Sequence, residues 1–540
     1  MSNLVNSLGR TLPETVEGKP LRPFQSAYRR PVDFSESASA AVYPPPLFAG
    51  GRSRDNSPGN RGAPRKLCRS WDELFDRLEL KNGMTVSFHH HLRNGDFVVN
   101  ETMKRLAARG YGDLVLAPTA LFPIHDDLLP LIESGVIRNI EGSMNGSIGA
   151  ACTRGILRGT AVLRSHGGRA RAVECGDLPI DLAVIAAPCA DEFGNANGRE
   201  GPSACGPLGY ALPDSIHARQ VVIVTDHLVP YPCSPRSIAG GDVDYILTVE
   251  CIGDPASIAF GTTRITKSPV QLYIAELTAA FVEASGILRE GYAFQAGAGG
   301  ISLAAVARIA DRMRKRGIRA SFAHGGATGI LVNLLNEGLL GSIIDLQSFD
   351  LEAVRSLREN PRHIESNPFD SYGPQGRGCA ASMLDLAILG ATEIDLDFNV
   401  NVNTHSDGRL LHGIGGHQDA AASARCCIVT APSFRRRIPI IRERVTTLSC
   451  PGEVVDVLVT ERGIAINPLR ADLLDRVARS DLPIKTVGDL MRETLEITGK
   501  PDEPRFDDRA VAVVEWRDGT VLDIVRKVES QTGCGKEEAE

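Results

Sequence analysis

Asp181-Leu182-Ala183, followed by Asp191, Asn195 and Asn197, is written a second time in this chain as Asp385-Leu386-Ala387, Asp395, Asn399 and Asn401. Each member of the second set stands 204 positions after its counterpart, from Asp181 and Asp385 through to Asn197 and Asn401. Upstream, the stretch 128–135 followed by Ile140 is echoed by 331–338 followed by Ile343. Downstream, Ala218-Arg219 and Val224-Thr225 are echoed by Ala424-Arg425 and Val429-Thr430. So long a period is too large for a solenoid unit and reads as two copies of one domain. A ligand site is then expected where the copies face each other.

Around the repeat the apolar pattern alternates short strands with helices. Strands are predicted at 84–88, 114–117, 160–163, 182–187 and 221–224 in the first copy, with a helix over 96–109. In the second copy they are predicted at 292–296, 320–323, 343–347, 386–389 and 455–459, with helices over 270–285 and from Ser302, a natural N-cap. Near-continuous apolar runs mark strands covered on both faces, so the fold class is α/β, each domain a largely parallel sheet covered by helices. The expected division is an extended Pro/Gly/Arg-rich arm over 1–65, domains over 66–267 and 268–527, and a polar, fraying tail over 528–540.

Composition narrows the function. With 540 residues, 43% apolar and 23% charged, the chain is an ordinary globular protein of more than one domain. A net charge of −7 argues against a general nucleic-acid binder. No long apolar run suggests a membrane span, and the first residues lack the pattern of a signal peptide. Twelve cysteines without a Cys-x-x-Cys pair read as free, mostly buried thiols of a cytoplasmic protein, with Cys426-Cys427 inside a core strand.

Three glycine-rich segments carry candidate chemistry. Gly297-Ala298-Gly299-Gly300, between a strand and a helix, suits an oxyanion or phosphate because helix N-terminal amides point at whatever sits there. It is not the dinucleotide fingerprint, whose third glycine would fall at Ser302. Gly325-Gly326 and Gly413-Ile414-Gly415-Gly416-His417 add two loops of the same kind, able to stabilise a tetrahedral oxyanion. His89-His90-His91 ends the first strand beside Arg93. Alternate strand side chains face opposite ways and no further ligand is near, so anion contacts, with a guanidinium for carboxylates, stand first, ordinary core or solvent histidines close behind, and a metal last. His166-Gly167-Gly168-Arg169 and Thr262-Thr263-Arg264 each read as turns when taken singly. The plainer reading of the Asp/Asn series at 395–401 is a loop fixed by Asx turns.

Together Ser87-Phe88-His89-His90, the stretch 191–198, Leu346-Gln347-Ser348-Phe349-Asp350, Glu393-Ile394-Asp395, Phe398 to Val402, Ser406-Asp407-Gly408 and Gly415-Gly416-His417 resemble the citrate lyase alpha subunit family. The resemblance runs from about Arg65 to Lys527. It implies two tandem CoA-transferase-like domains and the activity of a citrate:acetyl-carrier-protein (citrate CoA-) transferase, exchanging acetyl for citryl on a carrier thioester. It also implies two partners. A beta subunit cleaves the citryl thioester to oxaloacetate and acetyl thioester, using magnesium. A gamma subunit, the acyl carrier protein, bears the CoA-derived prosthetic group, so this chain binds no cofactor covalently and no metal.

Ordinary CoA-transferases carry a nucleophilic glutamate after a buried strand, where this chain has Gln347-Ser348. An amide cannot attack a thioester as a carboxylate does, so citrate's own carboxylate is the expected nucleophile. Glu337 and Glu393 are the fallback candidates. The implied roles place Gln347, Ser348, Gly415 and Gly416 at the reacting centre. His89, His90, Arg93, Asn399, Asn401 and His417 would hold citrate, and Gly297, Gly299, Gly300, Gly325 and Gly326 would cradle the thioester. The competing readings are a transferase of this fold for another acid such as citramalate, and a non-catalytic regulator.

Overall fold

The computed structural model describes residues 3–27, 66–259, 264–373 and 378–529. Two large sheets dominate it. The first has seven parallel strands in the order Leu67–Cys68, Tyr245–Thr248, Gln220–Thr225, Leu182–Ala186, Thr85–Phe88, Leu114–Pro118, Ile137–Ile140. The second has eight strands: Gly463–Ile466, Val457–Thr460, Cys426–Thr430, Leu386–Gly390, Ala293–Ala296, Ala320–Ala327, Leu340–Ser348, His363–Glu365. All its pairings are parallel except the hairpin of Val457–Thr460 with Gly463–Ile466. From Tyr245–Thr248 to Ile137–Ile140 the first order matches the second from Val457–Thr460 to Leu340–Ser348, strand for strand. The repeat is therefore a repeat of topology.

The Asp/Asn series belongs to a small three-stranded sheet in each copy, at Cys189–Asp191, Ala196–Asn197 and Leu228–Val229, and at Glu393–Asp395, Val400–Asn401 and Ile441–Arg442. The central strands Leu182–Ala186 and Cys426–Thr430 are buried along their whole length, as their continuous apolar runs require. Helix Pro269–Ala284 packs on helix Gly300–Arg316 over the second sheet.

Three expectations meet a different structure. The 160–163 strand, seen as Ala161–Leu163, is not in the large sheet. It pairs with a C-terminal hairpin, Phe506–Glu515 and Val521–Val528, so the end of the chain returns to the first copy. The arm is ordered over residues 3–27: Leu12 and Phe24 are fully buried, Leu12 against Val513 and Val521, and the Phe24 ring lies edge-on to Trp516 at 5.8 Å. Its few apolar residues do not make a core alone, but the C-terminal hairpin completes one. Helix Gly300–Arg316 starts two residues early, with Gly299 at the N-cap and Ser302 buried in the first turn. The rest of the arm (28–65), Thr262-Thr263 and the tail from 530 lie outside the described residues.

Candidate active site

The two copies meet along the C-terminal ends of their central strands, and a cavity of about 780 Å³ opens there. The second copy supplies Gln295 to Ser302, Gly326, Gln347, Phe349, Tyr372 and the loop Leu411–His417, while the first supplies His166 and Tyr210. Hydrogen bonds knit the seam: His166 N donates to Gly415 O at 3.0 Å, and the Gln347 side-chain Nε2 donates to His90 O at 2.8 Å. Asp419 of the second copy accepts from Gly167 N at 2.9 Å and pairs with Arg517 of the C-terminal hairpin at 3.2 Å.

Of the residues singled out in the sequence, Gln347, Gly297, Gly299, Gly300, Gly326, Gly415, Gly416 and His417 line this cavity. Gly299 and Gly300 open a 17-residue helix with no side-chain cap on its first amides, which leaves a positive helix end facing the cavity. His417 Nε2 lies 3.1 Å from Gly390 O, and burial lowers its pKa to about 4, so the ring is neutral at pH 7.

Others are placed elsewhere. His89 Nε2 meets Asp214 Oδ2 at 2.9 Å, and Asp214 takes two bonds from Arg169 at 2.8 Å each, a buried network away from the cavity lining. Burial alone raises the Asp214 carboxyl, but Arg169 and His89 together hold it well below the usual carboxylate range. Ser348 points away from the cavity and donates to Asp345 Oδ2 at 2.8 Å. Its neighbour Gln347 faces inward, as alternation along a strand demands. Asn399 and Asn401 are spent on the loop. Asp395 binds the Asn399 amide, and Asn401 holds Glu393, Thr404 and Asn403 at 2.9–3.1 Å. The Asx-turn reading describes both copies, since Asp191 serves Phe193, Asn195 and Cys233 in the same way.

Gly325 and Gly326 sit inside strand Ala320–Ala327, at a bulge, instead of in a loop. Gly325 has φ +101°, and a Cβ at Gly326 would fall 1.9 Å from Phe349 Cε2, so fit explains these glycines. His90 and Arg93 stand behind the cavity wall. His90 stacks on Tyr210 at 4.5 Å, and Arg93 lies over Phe349 at 4.8 Å and donates to Ile258 O at 2.8 Å. Burial lowers the Arg93 pKa to about 10, still cationic at pH 7, and it has no carboxylate partner among the described residues.

Neither fallback glutamate reaches the cavity. Glu337 pairs with Arg314 on the surface, and Glu393 is fully buried against Asn401 and Thr446. Among the described lining residues there is no Asp or Glu, but there are two arginines, Arg264 and Arg435. His166 and Arg264 came from segments read as turns. Tyr210, Gln295, Tyr372 and Arg435 carry no local motif and escape a reading by spacing.

Tyr372 is held by a short relay. His324 Nδ1 lies 2.8 Å from Gln295 Oε1, and Gln295 Nε2 donates to Tyr372 Oη at 3.0 Å. Burial lowers the His324 pKa to about 3, so the ring is neutral. Its Nε2 is buried without a partner. An orphaned lone pair is more tolerable there than an orphaned N–H, which puts the proton on Nδ1. Gln295 then accepts from histidine and donates to tyrosine, leaving the Tyr372 hydroxyl hydrogen for the cavity. Tyr372 Oη sits 2.8 Å from where a Cβ on Gly416 would stand, beside the Gly415-Gly416 loop. Burial also raises the Tyr372 pKa, so it stays a donor through alkaline pH.

With that geometry in view, comparison with known proteins is direct. Residues 64–528 match the family model "Citrate lyase, alpha subunit (CitF)". The citrate lyase alpha chains of Klebsiella pneumoniae and Haemophilus influenzae are 46% and 45% identical over 467 residues, covering 86% of this chain and 92% and 93% of theirs. A Streptococcus mutans protein solved in complex with citrate, and described as a citrate lyase alpha subunit, superposes with a TM-score of 0.88 at 41% identity. The match covers 97% of this chain and 100% of that one. A malonate decarboxylase alpha subunit from Acinetobacter baumannii shares the fold alone, at 15% identity, 77% and 86% coverage and TM-score 0.56. Two α/β halves in one topology, a seam cavity carrying Gln347 and the Gly415-Gly416-His417 loop, and these matches lead to one conclusion: the chain belongs to the citrate lyase alpha subunit family.

Proposed function

We propose that this chain is the transferase subunit of a citrate lyase, exchanging acetyl for citryl on a carrier-protein or CoA thioester, with citrate's carboxylate as the nucleophile. The observation that carries this reading is the cavity itself: guanidinium groups and a helix N-terminus face it, and no described carboxylate does. Such a wall attracts a tricarboxylate and supplies no glutamate for an acyl-enzyme.

In this scheme a citrate carboxylate oxygen attacks the acetyl carbonyl. The resulting oxyanion is met by the Tyr372 hydroxyl and the amides of the Gly415-Gly416 loop. Collapse breaks the C–S bond, giving a thiolate and an acetyl–citryl anhydride. The thiolate then attacks the citryl carbonyl, forming the citryl thioester and releasing acetate. Gln347, pinned by His90 O, lines the reacting centre, and Arg264 offers a guanidinium for the spare carboxylates. The site works by holding two acyl groups together and neutralising charge. Cleavage of the citryl thioester, with its magnesium, falls to a beta subunit, and the prosthetic group to a carrier subunit, in a cytoplasmic complex.

The test is to mix the purified chain with acetyl-CoA and citrate and follow citryl-CoA and acetate by mass spectrometry. Citryl-CoA without oxaloacetate supports the reading. No exchange, even with an acetylated carrier protein, defeats it, and exchange with citramalate in place of citrate changes the acid.

A further inference from the structure

The main cavity does not end at its own walls. Thr392, Leu411 and Arg435 also line a second chamber of about 460 Å³, so the two spaces are neighbours across these residues. Apolar residues, Leu410, Leu411, Ile438 and Ile440 among them, make most of the second chamber's wall, and His405, Ser406, Asp407 and Arg409 complete it. Its rim is cationic. The hairpin Phe434–Arg435 with Ile438–Pro439 places Arg436 and Arg437 in the turn between two lining residues, Arg435 and Ile438. Arg435, Arg436 and Arg437 are all exposed, and none has an ion-pair partner among the described residues. Arg435 is anchored by a 2.8 Å bond to Ala391 O, which fixes the base of the hairpin. Asp407, in the chamber wall, and Glu461 are both engaged elsewhere. Asp407 pairs with Arg409 at 3.3 Å, and Glu461 takes Ser433 N at 2.9 Å and lies 3.7 Å from Arg462. In a chain of net charge −7, three consecutive arginines without ion-pair partners among the described residues, beside this chamber, make a local cationic patch.

We propose that this chamber and the arginine turn form the subsite for the phosphorylated arm of the thioester substrate. The apolar walls hold the arm's alkyl-amide chain, Arg436 and Arg437 take its phosphates, and the thioester reaches the Gly415-Gly416 loop in the adjoining cavity. Guanidinium suits this role because its fork binds phosphate oxygens in pairs. The assignment rests on the transferase reading above and adds to it the part of the substrate recognised away from the reacting carbon.

The test is the double variant Arg436→Ser/Arg437→Ser, two exposed positions whose loss leaves the core untouched. Its KM is compared with wild type for acetyl-CoA and for S-acetylpantetheine, which has no phosphate. Two lost charge-assisted contacts predict a KM for acetyl-CoA raised by about tenfold or more. Values of kcat and of the citrate KM stay unchanged, as does the KM for S-acetylpantetheine. CoA itself, titrated calorimetrically, binds more weakly to the variant, a readout independent of turnover. Unchanged affinity for CoA overturns the subsite, as does an equal KM rise for both thioesters. An effect confined to a carrier-protein thioester assigns the turn to an acidic protein surface and also overturns it. Wild-type protein that binds CoA through this turn yet turns over no thioester defeats the transferase reading and leaves the subsite standing.

Discussion

At Tyr372 the direction of a hydrogen bond is set from two residues away, because His324 is too buried to protonate and so orients Gln295. Tyr372→Phe keeps the ring and removes only the donor. It is expected to lower kcat about a hundredfold, within the range for one oxyanion donor, while citrate affinity holds. A fall in affinity with kcat unchanged would place the hydroxyl on bound citrate instead. Gln347 offers a sharper contrast. A carboxylate at this position would face His90 O, now 2.8 Å from the amide donor, without a hydrogen to give. Gln347→Glu is therefore expected to abolish transfer and to form no hydroxylamine-sensitive acyl adduct. An adduct found by mass spectrometry on the introduced carboxylate of that variant would mean the site accepts the glutamyl route. The amide at this position was legible in the sequence as a departure from ordinary CoA-transferases. The tyrosine was not, because nothing local distinguishes a buried aromatic that packs from one that donates.

At the scale of elements, the run His89-His90-His91 shows how a strand end scatters like residues. His89 goes to Asp214, His90 to Tyr210 and His91 to Ala186 O, so three adjacent rings serve three surroundings. Spacing identified the run but could not say that Asp214 and Arg169, from two helices, close around the first ring. Asp214→Ala would leave His89 and Arg169 without their shared anion. Breaking such a buried pair costs about 3–5 kcal/mol, so the urea midpoint should fall by the corresponding amount. A midpoint within error of wild type would show the network to be energetically idle. The Asp/Asn series behaved as its local chemistry suggested, since Asx turns need only near neighbours. Asn399 and Asn401, expected as citrate contacts, are engaged within the protein instead: Asn401 by its own loop and Glu393, and Asn399 by Asp395 and by Gly452 N at 2.9 Å.

For the whole molecule, burial keeps several rings neutral, with His166 and His324 lowered to about 3 and His417 to about 4 at the seam, and His91 to about 4 inside the first copy. An unfolded histidine titrates near 6.5, so below that pH the unfolded chain binds protons that the native seam refuses. More protons on the unfolded state means stability rises with pH. It is accordingly expected to be highest above about pH 6.5 and to fall progressively towards pH 4, as urea midpoints measured across that window should show. Stability that is flat from pH 7 to 4.5 would mean these rings are hydrated or paired in solution.

What depends on neighbours along the chain could be read from the residues alone: the doubled α/β topology, the buried parallel strands and the turn chemistry of the Asp/Asn loops. Periodicity and spacing report these because each is settled within a few residues or by one copy matching the other. Which side chains share the seam followed from the packing of distant segments. It joined residues 3–27 to a hairpin some 500 positions later, turned Ser348 out and Gln347 in, and brought His166, Tyr210 and Tyr372 to one cavity. Burial and hydrogen-bond capacity make those choices, and both are properties of segments that meet only after the chain has folded.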